Sequence, residues 1–184
     1  NDFGAPSACP HYAGTLTPIH NVLMQRRMLG YRDWETDPKL PRFAEWYLNI
    51  MSPADVRFGG LRNNIVDGDS QPCDGATLMG EMATACADSH PALSKPLMWM
   101  WQANGRRHSG FYASSHLRIN ESLPAEDPQL GNAVFPGYCA VLRSQWNTPR
   151  ETSVHAIMGD FYTDHRGSSS GELKIGRASC RERV

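Results

Sequence analysis

A change of hydrophobic period, about two thirds of the way along the 184-residue chain, limits the fold more than any other feature. Before Ser122 apolar residues recur every three or four positions, whereas after it they fall in short β-branched and aromatic runs punctuated by Pro136-Gly137 and Gly159. One element cannot satisfy both patterns, because side chains return to the same face after about 3.6 residues in a helix and after two in a strand. The expected fold class is therefore α+β, a helical region followed by a β region.

Four helices are expected. Leu16, Ile19, Val22, Leu23 and Met24 recur on "LTPIHNVLMQRRML" (Leu16 to Leu29), with Gly30 as a stop. Residues 38–51, "PKLPRFAEWYLNIM", carry a second apolar face, and Ala76–Ala87 and Pro91–Ala103 form a pair around the "DSHP" turn. Ser52 to Asp74 reads as a long loop rich in Gly, Asn, Asp and Pro. A polar, Pro-containing linker spans Asn120–Gly131, and "NAVFPGYCAVLRS" and "TSVHAIMGDFYTDH" read as strands. The expected domains are thus a helical region over 1–119, a linker over 120–131 and a β region over 132–174.

The last ten residues, "IGRASCRERV" (Ile175 to Val184), have no apolar period and resemble the translation of a short-read sequencing adapter. They are set aside as a non-native tail, and the native gene is expected to continue beyond this piece. The chain carries 18 basic and 19 acidic residues, a net charge of −1, and without the tail 15 and 18, a net charge of −3. That balance gives no reason to expect a nucleic-acid partner, and no stretch approaches the ~18 apolar residues of a membrane helix. Cys9, Cys73, Cys86 and Cys139 form no C-x-x-C pair, which argues against a zinc knuckle or redox motif; Cys86 reads as core.

Five segments, taken in order, resemble the heparinase II/III-like polysaccharide lyases, a family that includes alginate lyases. They are "HYAG" (His11 to Gly14), "RFGGLRNNIVDGDS" (Arg57 to Ser70), "PALSKPLMWMWQANG" (Pro91 to Gly105), "FPGYCAVLRS" (Phe135 to Ser144) and "GDFYTDHRGSSSGEL" (Gly159 to Leu173). The resemblance implies the C-terminal hairpins of an incomplete (α/α) toroid followed by the first strands of an antiparallel β-sandwich. It also implies cleavage of a uronic-acid-containing polysaccharide by β-elimination, in the periplasm or outside a bacterial cell. An acidic polysaccharide is the expected partner, with no nucleic acid and no membrane.

Elimination requires removal of a weakly acidic C5 proton beside a carboxylate, helped by donors that neutralise that carboxylate. A base takes the proton and an acid protonates the leaving glycosidic oxygen; Tyr and His suit these roles. A free Tyr titrates near about 10, so a Tyr base needs cationic neighbours. By the resemblance, Tyr12 is the first catalytic candidate, with His11 beside it as a substrate contact. The family's helical-domain catalytic His lies upstream of this Tyr. His165 is the second candidate, matching the first His of an approximate His-x-His-x-Asp-x-Gly motif.

Gly167 and Ser169 stand where that motif has its second His and its Asp. This departure speaks against the structural divalent metal of the family, so no cofactor is assigned. It also keeps open a catalytically inactive carbohydrate-binding relative. Arg62, Asn63, Asn64 and Asp69, beside glycines in a long loop, suit contacts to sugar hydroxyls or carboxylates.

Other groups have plainer readings. Trp99 and Trp101 in "LMWMWQ" read as core before sugar platform, His90 as a helix boundary, and His155 as facing either core or solvent. Asp160, Asp164 and His165 lack diagnostic metal-ligand spacing. A toroid glycosidase would need paired carboxylates facing a cleft, and the helices show no such pair.

Overall fold

A computed structural model describes residues 25–62, 75–108, 119–136, 139–157 and 172–177. The chain is α+β, with three helices and a small antiparallel sheet among these residues. It divides into two compact units. The described part of the first comprises residues 25–48, 75–108 and 119–128, and that of the second 49–62, 129–136, 139–157 and 172–177.

In the helical unit, residues 25–28 form a last helical turn that ends at Gly30, whose φ of 89° needs a residue without a Cβ. Helix α1 (Lys39–Asn49) starts where the Asp37 carboxylate accepts the backbone N–H of Lys39 at 2.8 Å, satisfying a donor that the first turn leaves without a helical partner. Phe43, Ala44, Trp46, Tyr47 and Leu48 are buried, whereas Arg42 and Glu45 are exposed. The Phe43, Trp46 and Tyr47 rings pack with centroids 5.7 to 6.0 Å apart.

Helices α2 (Gly75–Cys86) and α3 (Pro91–Ala103) form the expected hairpin. Pro91 occupies the first turn of α3, where its missing N–H costs nothing. The Ser94 hydroxyl donates to the Ala83 carbonyl at 2.7 Å, tying α3 to α2. At Gly80 an added Cβ would lie 2.9 Å from Ile119 Cδ1 and 3.0 Å from the Trp101 ring. The glycine therefore sits where the hairpin and the returning chain approach most closely. That return is held by Thr84 Oγ1, which accepts the Asn120 N–H at 2.9 Å, and by the Glu126 N–H on the Lys95 carbonyl at 3.2 Å. Leu97, Met98, Met100, Trp101 and Cys86 are fully buried, as core readings require, and burial pushes the Cys86 thiol up to about 12.

The second unit is built on a sheet in the order β1-β2-β3-β4, antiparallel throughout: β1 (Ala133–Phe135), β2 (Cys139–Ser144), β3 (Thr152–Ile157) and β4 (Glu172–Arg177). Alternation puts Cys139, Val141, Arg143, Ser153 and His155 on a buried face. Val134, Leu142 and Ile175 are exposed. Strand β4 runs past Lys174 to Arg177, so the first three residues of the segment read as a non-native tail are paired with β3, Val154 opposite Ile175. Residues 49–62, expected to belong with the helices, count with the sheet. There, Asp55 and Leu61 form a bridge around a turn with Gly59 and Gly60 at positive φ. Among the described residues no helix is long and apolar enough to cross a membrane.

Candidate functional site

Strand parity forces a charge inward. Cys139 and Val141 face the buried side of β2, so Arg143 two residues on must do so as well, and a buried guanidinium requires partners. Glu151, just before β3 and fully buried, supplies the first: Arg143 Nη1 donates to its Oε1 at 2.5 Å. Arg143 Nη2 donates to the carbonyls of Asn49 and Met51 at 3.0 and 2.7 Å.

Arg62 completes the cluster from the far end of the 49–62 segment. Its Nη2 and Nη1 donate to the two Glu151 carboxylate oxygens at 2.7 and 3.0 Å, a bidentate pair. Nη1 also reaches the Ser52 carbonyl at 3.1 Å and Nη2 the Asn147 side-chain oxygen at 3.4 Å. The Asn147 N–H donates to Glu151 Oε2 at 2.9 Å, closing the turn between β2 and β3 over the carboxylate. That turn places Gln145 and Asn147 at φ of 53° and 55°, on either side of Trp146, in a tight reversal.

Two guanidiniums facing one carboxylate leave an excess positive charge in the interior. Three backbone carbonyls turn their negative ends toward it, and the Trp146 ring lies 4.2 Å from the Arg62 guanidinium carbon and 5.3 Å from that of Arg143. Burial draws Arg143 below its ordinary basicity, opposed by the hydrogen bond and charge of Glu151. On the same face, His155 is buried, with Nε2 3.1 Å from Ser153 Oγ and Nδ1 without a partner. Burial first, and the Arg143 charge second, push its pKa down to about 3, so His155 is a neutral imidazole at ordinary pH.

The cluster acts by holding. Both terminal nitrogens of Arg62 and of Arg143 are engaged by the protein, and it fixes three stretches of chain, 49–52, Arg62 and 143–151, against one another. Arg62 was expected to contact sugar. Its side chain is 4 % exposed and its terminal nitrogens donate to Glu151, so in this structure they are held by a carboxylate of the chain itself. His155 faces the core. Tyr12, His11, His165, Asn63, Asn64 and Asp69 lie outside the described residues, as do Gly167 and Ser169. Glu151 and Arg143 were not singled out from the sequence. Their signal was an arginine at an inward position of an alternating strand, with an acidic residue eight positions on at the start of the next.

Among the described residues no group of three or more His, Cys, Asp or Glu side chains is placed to hold a metal ion. By fold and cluster the molecule is an α+β protein whose β unit is organised around a buried Arg–Glu–Arg clamp. Comparison with protein families, with curated proteins and with solved structures finds no match.

Proposed function

We propose that the chain belongs to a polysaccharide lyase of the heparinase II/III-like kind, which breaks a uronic-acid-containing polysaccharide by β-elimination. One observation carries the reading: the clamp joins two of the five segments on which the resemblance rests. Arg62 comes from "RFGGLRNNIVDGDS" and Arg143 from "FPGYCAVLRS", 81 positions apart in sequence, and both close on Glu151.

In this reading the helical hairpins are the last part of an (α/α) toroid and the sheet is the first part of a β-sandwich. The sheet's second face supports the sandwich. Val134 and Leu142 are exposed there, with Ala140, Val154 and Ala156 half-exposed beside them, an apolar surface of the kind a second sheet covers. Tyr12 and His165 are the proposed proton-transfer groups, and His11, Asn63, Asn64 and Asp69 the proposed sugar contacts. Base removal of the C5 proton sends its electron pair into a C4–C5 double bond. The C4–O bond breaks, and the leaving oxygen takes a proton from the acid. The proposed setting is the periplasm or the exterior of a bacterium.

The test is to recover the gene from its source DNA, express it, and follow the ultraviolet absorbance of the unsaturated uronate with a panel of acidic polysaccharides. A rise with one polymer, abolished by Tyr12→Phe, is expected. A flat trace across the panel from folded protein sinks the lyase and favours a binding relative that has lost the chemistry, as Gly167 and Ser169 would suggest.

A further inference from the structure

The clamp holds both ends of a short stretch that the proposed proton-transfer groups do not use. Arg143 donates to the Asn49 and Met51 carbonyls before the stretch, and Arg62, which follows it directly, is fixed to Glu151 and to the Ser52 carbonyl. Between these anchors the chain reverses tightly. The Asp55 N–H donates to the Leu61 carbonyl at 3.1 Å, and the Phe58 and Gly60 N–H groups donate to the Asp55 carbonyl at 3.0 and 2.8 Å. Gly59 and Gly60 supply the positive φ values, 69° and 79°, on which the reversal depends.

The tip is one 3-10 turn, Val56–Phe58, and its three side chains are all exposed. A lone exposed apolar residue is ordinary on a protein surface. Here an aromatic ring adjoins a guanidinium that the chain has already fixed in place. The buried Asp55 carboxylate accepts Arg57 Nε at 2.9 and 3.0 Å, Arg57 Nη2 at 2.5 Å and the Arg57 backbone N–H at 2.8 Å. Those bonds occupy one edge of the guanidinium. Its other edge, Nη1 with the second Nη2 hydrogen, has no partner among the described residues, on a side chain 79 % exposed. The guanidinium carbon lies 5.8 Å from the centroid of the Phe58 ring, itself 40 % exposed.

Three residues on one turn are a small surface beside the roughly 800 Å² that each partner gives to a stable protein interface. A chain of net charge −1 does not suit the long charged track of a nucleic acid. A uronate ring matches the tip in size and chemistry, with an apolar face of C–H bonds and a carboxylate on its rim. We infer that the turn from Asp55 to Leu61 binds a uronate unit of an acidic polysaccharide, its C–H face on Phe58 and its carboxylate on the open edge of Arg57. This subsite rests on the lyase reading and adds to it a residue-level contact. Planar guanidiniums take a carboxylate with two parallel bonds, and Asp55 has ordered this one before any ligand arrives.

The test is calorimetric titration of the full chain with tetragalacturonate, with maltotetraose and a short single-stranded DNA as controls; circular dichroism verifies the fold of each variant. Uronate binding is expected to fall about ten-fold in Phe58→Ala, as loss of a partly covered aromatic ring predicts. Phe58→Leu should lose as much and Phe58→Trp should restore binding, because a flat ring is required. Arg57→Gln should weaken uronate binding and remove its salt dependence. Wild-type affinity in Phe58→Ala or Phe58→Leu, absence of uronate binding, or equal affinity for maltotetraose or DNA overturns the assignment. The two readings fail separately. Uronate cleavage with KM unchanged in Phe58→Ala removes the subsite and keeps the lyase, whereas Phe58-dependent binding without cleavage keeps the subsite and removes the lyase.

Discussion

Glu151 is the carboxylate on which two buried guanidiniums depend. Glu151→Ala leaves both without their carboxylate in a low-dielectric setting. The expected cost is about 3–5 kcal/mol, read as a lower urea midpoint with an unchanged slope. A loss under about 1 kcal/mol would show that water reaches the arginines and that the clamp is not a closed unit. His155, two residues along β3 from Ser153, adds a pH dependence of determined sign. Its pKa falls from 6.5 unfolded to about 3 folded, so the unfolded chain binds the extra proton between those values. The stability it contributes is complete above about pH 6.5 and is lost progressively as the pH falls toward 3, at up to about 1.4 kcal/mol per pH unit. His155→Leu should flatten that limb of the stability profile measured by denaturant unfolding. An unchanged limb would mean that the imidazole is solvated.

At the scale of elements, the α2–α3 hairpin depends on close approach at Gly80. Replacing a helical Gly with Ala ordinarily gains about 1 kcal/mol from backbone propensity. Here the new methyl meets Trp101, which is fully buried and tethered through Nε1 to the Arg107 carbonyl, and so cannot swing aside. Gly80→Ala is therefore expected to destabilise by about 1–3 kcal/mol, seen as a lower thermal midpoint; a rise would show that Ile119 alone yields. Helices were the most legible elements. Pro91–Ala103 has the bounds its sequence implied, because Pro at the start and Asn-Gly after the end mark both limits locally. Strand β4 was not read from the sequence: "ELKIGR" alternates at only two apolar positions, Leu173 and Ile175, too short a run to stand out, and it gains strand form from pairing with β3. The sequence likewise left residues 49–62 with the helices. What draws them to the sheet is the contact of Arg143 with the Asn49 and Met51 carbonyls, more than 90 positions away in sequence.

For the whole molecule, the order of a helical unit and an antiparallel sheet followed from the change in hydrophobic period, which is a property of long runs and survives local errors. The site was less legible. Arg62 drew attention as a polar residue beside glycines, yet its partner Glu151 lies 89 positions on, and no local pattern distinguishes an arginine that meets sugar from one that meets a carboxylate of its own chain. Parity on β2 was the usable signal, and it points to burial rather than to chemistry. The lyase reading consequently rests on the ordered segments, two of which the clamp joins. Its most direct test is the mass of the products released from an acidic polysaccharide by the expressed gene product. β-Elimination predicts a new non-reducing end that carries a double bond, so each fragment pair has the mass of its parent with nothing added. Fragments whose masses sum to the parent plus one water would mean hydrolysis, and would contradict the account.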